Sequence, residues 1–188
     1  MGHVETIANA ESLLLAEERR ARLEREASRI VAGHFEALGH KISRYVQSLG
    51  VAAGDVDDVL QEVFLALFRH VAGGGPRTHV RGWVFRVAHN LGMRQLRSEH
   101  RLRSKAVESR HLRANIAPRD PEEQLLDGLR QKQLLAVFAA LPEKDRQCLA
   151  LRLEGLRYRE IGEALGISLG TVANSVARSL EKLERAEA

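Results

Sequence analysis

The chain has 188 residues and a formal net charge of +4, with an ordinary apolar content and few aromatic side chains. A length of this order allows one or two small domains. The single cysteine excludes an intramolecular disulfide and a multi-cysteine zinc site, and it suits a reducing compartment. Because no apolar run reaches the ~20 residues of a membrane helix and no signal pattern opens the chain, we expect a cytoplasmic protein without membrane insertion.

The positive charge is concentrated in the middle of the chain. Residues 77–119 carry a net charge of +9, whereas residues 1–76 carry −3 and residues 120–188 carry −2. Concentrated basic charge indicates a polyanionic partner, most simply nucleic acid. A solubilising linker is the alternative interpretation of the same segment.

The first fifty residues predict two helical segments. Residues 1–28 are rich in helix formers and in charges of both signs, which predicts a solvated helical extension: a lid, a partner-binding arm or a frayed end. Residues 29–49 carry apolar side chains at helical spacing and end at a turn over Gly50 to Gly54. His34 and His40 lack i, i+4 spacing, so they predict no metal site.

Residues 55–71 predict an amphipathic helix with an unusual outer face. Its inner face repeats at the helical period and comprises Val56, Leu60, Val63, Phe64, Leu67 and Val71. On the outer face, Leu65 and Phe68 lie among polar side chains, namely Asp57, Asp58, Gln61 and Glu62. Apolar residues in such a setting can anchor a partner, or a neighbouring helix can cover them. A metal-binding carboxylate set is a further alternative, which would need ligands from another helix.

A glycine-rich break separates this helix from the next. Residues 72–79 hold three glycines and a proline, which predict a loop, but they lack the Gly-Lys-Ser/Thr ending of a phosphate-binding loop. Residues 80–97 then predict a helix whose inner face is Val80, Val84, Val87, Ala88 and Leu91.

A second stripe on this helix has the composition of a DNA-binding face. It consists of Trp83, Arg86, Asn90, Arg94 and Arg97. Arginines neutralise phosphates, an asparagine can pair with adenine, and an indole can stack on a base. Core packing is an equally good interpretation of Trp83 taken alone.

The C-terminal third predicts three helices around a small core. Gly155 ends the first, Gly166-Ile167-Ser168 forms the turn after the second, and Ser168 is placed to cap the third. This is the helix-turn-helix pattern, whose second helix enters the DNA major groove. The third helix has an inner face of Val172, Val176, Leu180 and Leu183. Its predicted outer face, able to contact bases or phosphates, is Thr171, Asn174, Ser175, Arg178 and Lys182.

These patterns predict an all-α protein of two small helical domains joined by a flexible linker, the C-terminal one a helix-turn-helix. Residues 1–28 are the extension and residues 29–100 the first domain. Residues 101–120 are basic and then proline-bearing, so we expect the linker there, followed by the second domain over residues 121–188.

Four stretches resemble the extracytoplasmic-function (group 4) sigma factors of the bacterial sigma-70 family. They are DVDDVLQEVFLALFRHV, VRGWVFRVAHNLGMRQLR, DPEEQL and LPEKDRQCLALRLEGLRYREIGEALGISLGTV. Their order and spacing make the resemblance specific, and it covers about residues 29–183. The resemblance implies an RNA polymerase sigma factor that binds core RNA polymerase and promoter DNA, melts the DNA and starts transcription. It also implies no enzymatic activity, no cofactor and no metal.

The resemblance also implies roles for the surfaces described above. The polymerase would bind Asp57, Asp58, Gln61, Glu62, Leu65 and Phe68. The −10 promoter element would be opened and read by Trp83, Arg86, Asn90, Arg94 and Arg97, while the loop from Gly73 to Thr78 captures a flipped base. The −35 element would be read by Thr171, Asn174, Ser175, Arg178 and Lys182. An anti-sigma factor seated between the two domains is a further implied partner.

The chain departs from the family pattern at several positions. Arg94 stands where an acid is common, and Arg157 stands where a small cap residue is expected. The last helix has unusual residues at positions that are often basic or polar: Ala173, Ser175, Leu180 and Glu181. Fewer phosphate contacts predict weak binding to the −35 element, and no promoter sequence can be carried over.

Two other functions compete with this interpretation. A stand-alone helix-turn-helix regulator explains the C-terminal domain but gives Leu65 and Phe68 no role. A helical metal-dependent hydrolase using Asp57, Asp58, Glu62 and a histidine leaves the basic stripe and the C-terminal domain unexplained.

Overall fold

The computed structural model describes residues 2–103 and 132–187, and side chains over residues 15–101 and 132–186. The described residues form helices and turns with no strand, which confirms the all-α fold. The helices are α1 (Gly2–Leu49), α2 (Ala53–Ala72), α3 (Val80–Arg103), α4 (residues 132–139), α5 (Glu143–Leu153), α6 (Tyr158–Leu165) and α7 (Leu169–Glu187).

Helix α1 is continuous over 48 residues, so the extension and the first core helix are one element. The sequence offers no helix breaker near residue 28. Ser28 instead donates its hydroxyl to the Glu24 carbonyl, 2.9 Å away, and Ala27 is fully buried. An i, i+4 ion pair between Arg20 and Glu24 adds local support.

Helices α1, α2 and α3 pack into a three-helix group. The α2 side of the core is Val56, Val59, Val63, Phe64, Leu67 and Val71, close to the predicted face, with Leu60 half-buried. On α3, Phe85 is fully buried while Val87 is half-buried, so the inner face is rotated slightly from the prediction. Tyr45 packs edge-on against Phe85 at 5.8 Å between ring centroids.

A buried polar contact lies next to this core. The Tyr45 hydroxyl and His89 Nδ1 are 2.9 Å apart. Burial raises the pKa of Tyr45 and lowers the pKa of His89, because both charged forms lose hydration. The two side chains are therefore a neutral hydrogen-bonded pair near pH 7.

Helices α5, α6 and α7 form the predicted helix-turn-helix group. Gly155 and Gly166 both adopt positive φ, at 83° and 68°, where a side chain would be strained. The Ser168 hydroxyl accepts the Thr171 N–H at 3.2 Å, which confirms the predicted cap. Leu180 is 44% exposed, so its assignment to the inner face is wrong; Val172 and Val176 are buried as predicted.

The two helical groups share one continuous core in the described residues. Its buried members include Phe85 of the first group and Cys148 and Leu151 of the second. Helix α3 packs on α6, and α1 packs on α5. The predicted linker begins inside α3, which runs to Arg103, and the rest of it lies outside the described residues.

One ion pair ties α5 to α7 at a site that excludes water from the carboxylate. Arg178 donates two hydrogen bonds to the Asp145 carboxylate, at 2.7 and 3.2 Å. The Asp145 side chain is 4% exposed and that of Arg178 is 55% exposed. The guanidinium of Arg178 lowers the pKa of Asp145, so the carboxylate is charged at neutral pH.

We expect Asp145→Asn to lower the free energy of unfolding at pH 7 by about 1–3 kcal/mol, because the Arg178 hydrogen bonds to a charged acceptor are lost. A carboxyl whose pKa is lowered by folding stabilises the fold above its unfolded pKa of about 3.9, and this contribution disappears as pH falls through the folded pKa. The difference between wild type and variant should therefore shrink below pH 4 in urea titrations.

The matched control is Glu181→Gln on α7. Its ion pair with Arg185 is exposed on both sides, at 60% and 74%, so its removal should change stability little. Equal losses in the two variants at pH 7 would contradict a special contribution from Asp145.

Candidate nucleic-acid and partner interfaces

The outer face of α2 is open to solvent. The acidic and amide side chains predicted there are exposed, and Leu65 is 44% exposed. Glu62 forms an exposed ion pair with Arg94 of α3. This pair connects the outer face of α2 with the arginine stripe of α3, which were predicted as two separate surfaces. Because both side chains are more than half exposed, this pair contributes little stability and can exchange partners readily.

Phe35 of α1, one of the apolar residues at helical spacing in residues 29–49, extends the apolar part of this face. Its ring is 50% exposed and packs edge-on against Phe64, with 5.0 Å between centroids. Phe64 itself is buried and is followed by the exposed Leu65. The helical period of α1 could not reveal this, since half of the Phe35 ring serves the core and half faces solvent.

Phe68 is half-buried beside the N-terminal part of α1. It lines a shallow open groove with apolar residues of α1 and α2 and an arginine-rich rim: Leu15, Ala16, Arg19, Arg20, Leu23, Glu24, Arg69 and Ala72. The alternative that a neighbouring helix covers the two apolar residues therefore holds in part for Phe68 and not for Leu65.

The described part of the chain contains no set of ligands that would support the metal-site hypothesis. There, no group of three or more histidine, cysteine and carboxylate side chains is placed to hold a metal ion. Among these described residues, no ligand from a second helix converges on the carboxylates of Asp57, Asp58 and Glu62, as a metal-dependent hydrolase would require.

The DNA-like stripe on α3 is mainly exposed. Arg86, Asn90, Arg94 and Arg97 are exposed, whereas Trp83 is half-buried. The Trp83 indole stacks on the His70 imidazole, with 4.7 Å between centroids and 24° between planes. Trp83 is therefore neither a pure core residue nor a free one, because one face is already stacked.

The glycine-rich loop is shaped around His70, a residue that the sequence did not single out. The ring nitrogen Nε2 of His70 lies 3.1 Å from the Pro76 carbonyl. A Cβ at Gly75 would lie 2.4 Å from the same ring, so only glycine fits there. An ion pair of 2.6 Å between Arg77 and Glu26 connects the loop to α1.

Two arginines of α3 contact the helix-turn-helix group. Arg86 donates through Nε to the Glu163 carbonyl at 2.6 Å. Arg81 donates through Nη2 to the Glu154 carbonyl at 2.7 Å. The N-terminal half of the stripe therefore lies against α6 and the end of α5, while Asn90 and Arg97 lie beyond them along the helix.

Helix α7 presents fewer outward groups than predicted. Ser175 is fully buried, so its predicted outward position is wrong. The reason is that α5 packs against this side of α7, where small serines allow close approach and Ser179 donates its hydroxyl to the Ser175 carbonyl at 2.8 Å. Asn174 and Lys182 are exposed, and Arg178 is occupied by Asp145.

Family profiles match both helical groups. The profile for Sigma-70 region 2 matches residues 34–102, and the profile for Sigma-70 region 4 matches residues 131–183. Together these matches cover well over half of the chain. Within the described residues, no helix combines the length and apolarity that crossing a membrane requires.

Curated relatives carry sigma-factor names. The ECF RNA polymerase sigma factor SigE of Mycolicibacterium smegmatis is 32% identical over 144 residues, which cover 76% of this chain and 56% of that protein. The ECF RNA polymerase sigma-E factor of Escherichia coli strain K12 is 27% identical over 163 residues, covering 82% of this chain and 83% of that protein.

Solved structures share the fold. CnrH in complex with the cytosolic domain of CnrY superposes with a TM-score of 0.59 at 20% identity, covering 88% of this chain and 92% of that chain. The sigma factor RpoE in complex with the anti-sigma factor NepR from Bartonella quintana gives 0.65 at 14% identity, covering 82% and 94%. With both family regions present in order, the chain belongs to the sigma-70 family, as an extracytoplasmic-function sigma factor.

Proposed function

We propose that this sigma factor binds core RNA polymerase through the outer face of α2 and directs promoter recognition, melting and transcription initiation through α3 and α7. The observation that carries the proposal is the pair of outer surfaces on the first helical group. One is acidic with an exposed Leu65, and the other is lined by arginines and Asn90. These surfaces suit a protein partner and a nucleic acid, respectively.

The proposed polymerase interface combines charge and apolar contact. Leu65 supplies an exposed apolar anchor, and the surrounding carboxylates supply charge complementarity for a basic partner surface. Phe68 and Phe35 widen the apolar area. The full set is Asp57, Asp58, Gln61, Glu62, Leu65 and Phe68, with Phe35 added from the structure.

The proposed promoter contacts divide between two helices. On α3, Arg86, Arg94 and Arg97 bind phosphates and Asn90 contacts a base, while Trp83 stacks where the duplex opens. The loop from Gly73 to Thr78 holds a flipped base. On α7, the −35 contacts are the half-buried Thr171 and the exposed Asn174 and Lys182. Arg178 reaches phosphate only after leaving Asp145.

The proposed roles of the helices divide the chain into two domains and a linker. Residues 29–100 act as the polymerase-binding and −10 domain, residues 101–120 as the linker, and residues 121–188 as the −35 domain. We propose a cytoplasmic protein without catalytic chemistry of its own. An anti-sigma factor is a further candidate partner, since the RpoE neighbour was solved with one.

The first test is direct. Purified protein should co-migrate with core RNA polymerase in size-exclusion chromatography, and the mixture should start transcripts at defined sites on genomic DNA, as read by transcript-start sequencing. Core enzyme alone is the control. DNA binding by the protein without polymerase binding or defined starts would instead favour the stand-alone regulator.

We expect Leu65→Ala to weaken core polymerase binding about tenfold, because an exposed apolar anchor in a protein interface contributes about 1–2 kcal/mol. Fluorescence anisotropy of labelled protein titrated with core enzyme measures the affinity. Leu180→Ala is the matched control, since Leu180 has the same exposed fraction of 44% but lies on α7. Circular dichroism checks that both variants keep their helical content, and equal affinities for all three proteins would remove Leu65 from the interface.

We expect Asn90→Ala to reduce promoter opening about tenfold while leaving polymerase affinity within twofold, because a lost base contact costs about 1–3 kcal/mol. Permanganate reactivity of unpaired thymines in the promoter measures opening. Gln47→Ala, an exposed amide on α1, is the control and should open promoters normally. An equal fall in polymerase affinity would show that Asn90 belongs to the polymerase interface and would contradict its assignment to the promoter interface.

A further inference from the structure

The imidazole of His70 connects the two ends of the glycine-rich loop, and neither proposed interface includes it. His70 lies in the last turn of α2, and Trp83 lies in the first turn of α3. Their rings stack, with 4.7 Å between centroids and 24° between planes. The Trp83 N–H donates to the His79 carbonyl at 3.2 Å, where the loop enters α3. The stack therefore closes the loop at its base and covers one face of the indole.

The start of the loop folds back onto the same residue. The Gly75 N–H donates to the His70 carbonyl at 2.8 Å, and the Pro76 carbonyl oxygen lies 3.1 Å from His70 Nε2. Because a carbonyl oxygen can only accept a hydrogen bond, we assign the ring proton to Nε2, which donates it to Pro76. The edge of the His70 ring thus contacts the loop, while its face contacts Trp83.

Gly75 leaves the space that the His70 ring occupies. A Cβ at Gly75 would have three atoms of this ring as its nearest neighbours, at 2.4, 2.5 and 2.6 Å. Gly74 adopts a left-handed φ of 78°, whereas Gly75 lies outside that region. The ring, rather than the backbone conformation, therefore excludes a side chain at Gly75. The loop and the imidazole are fitted to each other.

The ion pair between Arg77 and Glu26 is a weaker anchor for the loop. Its two side chains are 51% and 37% exposed, and pairs with this much solvent contact contribute little. The His70 ring is half-buried and stacked over its face, an arrangement that contributes more than an exposed ion pair. The imidazole is therefore the stronger determinant of where the loop and Trp83 lie relative to each other.

We propose that His70 is a positioning residue for DNA opening. Its ring fixes the Trp83 indole and the glycine-rich loop in one arrangement before DNA binds. A flipped base can then stack on the uncovered part of the indole beside the loop. An indole that is already ordered loses less side-chain entropy when a base stacks on it. The inference rests on the proposed functions of Trp83 and the loop, and it adds a residue that acts through both without touching the base.

Fluorescence of the free protein tests the stack, because Trp83 is the only tryptophan of the chain. In His70→Ala the acrylamide quenching constant should rise about twofold, since the second face of the indole becomes accessible. Gly75→Ala should give the same rise, because the added Cβ displaces the ring. His34→Ala removes a half-buried histidine of α1 and is the matched control, which should match wild type. An unchanged constant in His70→Ala would overturn the inference whatever the protein's function.

Promoter opening is then measured with core polymerase on a promoter fragment identified by the transcript-start experiment. His70→Ala should open the promoter about fivefold less than wild type, because the loop and the indole must then be ordered while DNA binds. Gly75→Ala should lose about as much. The double variant should lose no more than either single variant, because both changes break the same contact. Losses that multiply in the double variant would overturn the inference.

Two further substitutions separate positioning from the filling of space. His70→Phe keeps a flat ring under the indole, so it should restore the protection of Trp83 from acrylamide and part of the promoter opening, with the hydrogen bond to Pro76 still missing. His70→Leu fills a similar volume without a ring and should restore neither. Circular dichroism checks that the variants keep their helical content. Equal opening by the phenylalanine and leucine variants would overturn the inference.

Trp83→Ala is the reference that separates this inference from the proposed function. Should Trp83→Ala impair promoter opening while His70→Ala opens the promoter like wild type, the inference is overturned and the proposed function stands. A wild-type protein that opens no promoter with core polymerase would overturn the proposed function itself, and with it the role given to His70.

Discussion

Helix α3 can bury only one side, and this constraint decides where the remaining surfaces lie. Val84, Phe85 and Ala88 occupy the core between α1 and α2. At 3.6 residues per turn, Arg86, Asn90, Arg94 and Arg97 must then lie on the other side. A helix in this position cannot be hidden by its own domain. Its basic face is available either to a polyanion or to another part of the same chain.

The second helical group covers part of the basic face of α3. Its residue Glu154 shows which interactions hold the two groups together. A buried carboxylate is costly unless its charge is paired and its oxygens are hydrogen-bonded. Arg44 satisfies both requirements for the Glu154 carboxylate, and Arg81 donates a hydrogen bond to the backbone carbonyl of Glu154. If the groups separate, water replaces the arginines at Glu154, so the charge remains satisfied in both arrangements. The contact is thus specific without being irreversible.

The periodicity of the sequence predicted most helices and the buried side of α2, because a long amphipathic pattern leaves few alternatives. It could not show that α1 is continuous, since residues on either side of Ser28 are all compatible with helix. Ser175 was placed outside by its angular position on the helix, yet a small side chain at the edge of that face fits the close contact with α5. Leu180 was placed inside by its spacing, but the structure leaves it exposed on α7. The His70 stack and the α3–α6 contact join residues distant in sequence, which no local pattern encodes.

The small number of basic residues on α7 is explained together with residues 104–131, which connect the two helical groups. Arg178 is engaged by Asp145, so few cations are left on α7 for phosphates, and its affinity for the −35 element as a separate domain is expected to be low. The −10 and −35 promoter elements are separated by about 25 base pairs, which is roughly 85 Å at about 3.4 Å per base-pair step. Residues 104–131 connect the described helices, and a chain of that length spans at most about 95 Å. Binding of the first group to the −10 element would therefore confine α7 near its own site and raise its effective concentration there.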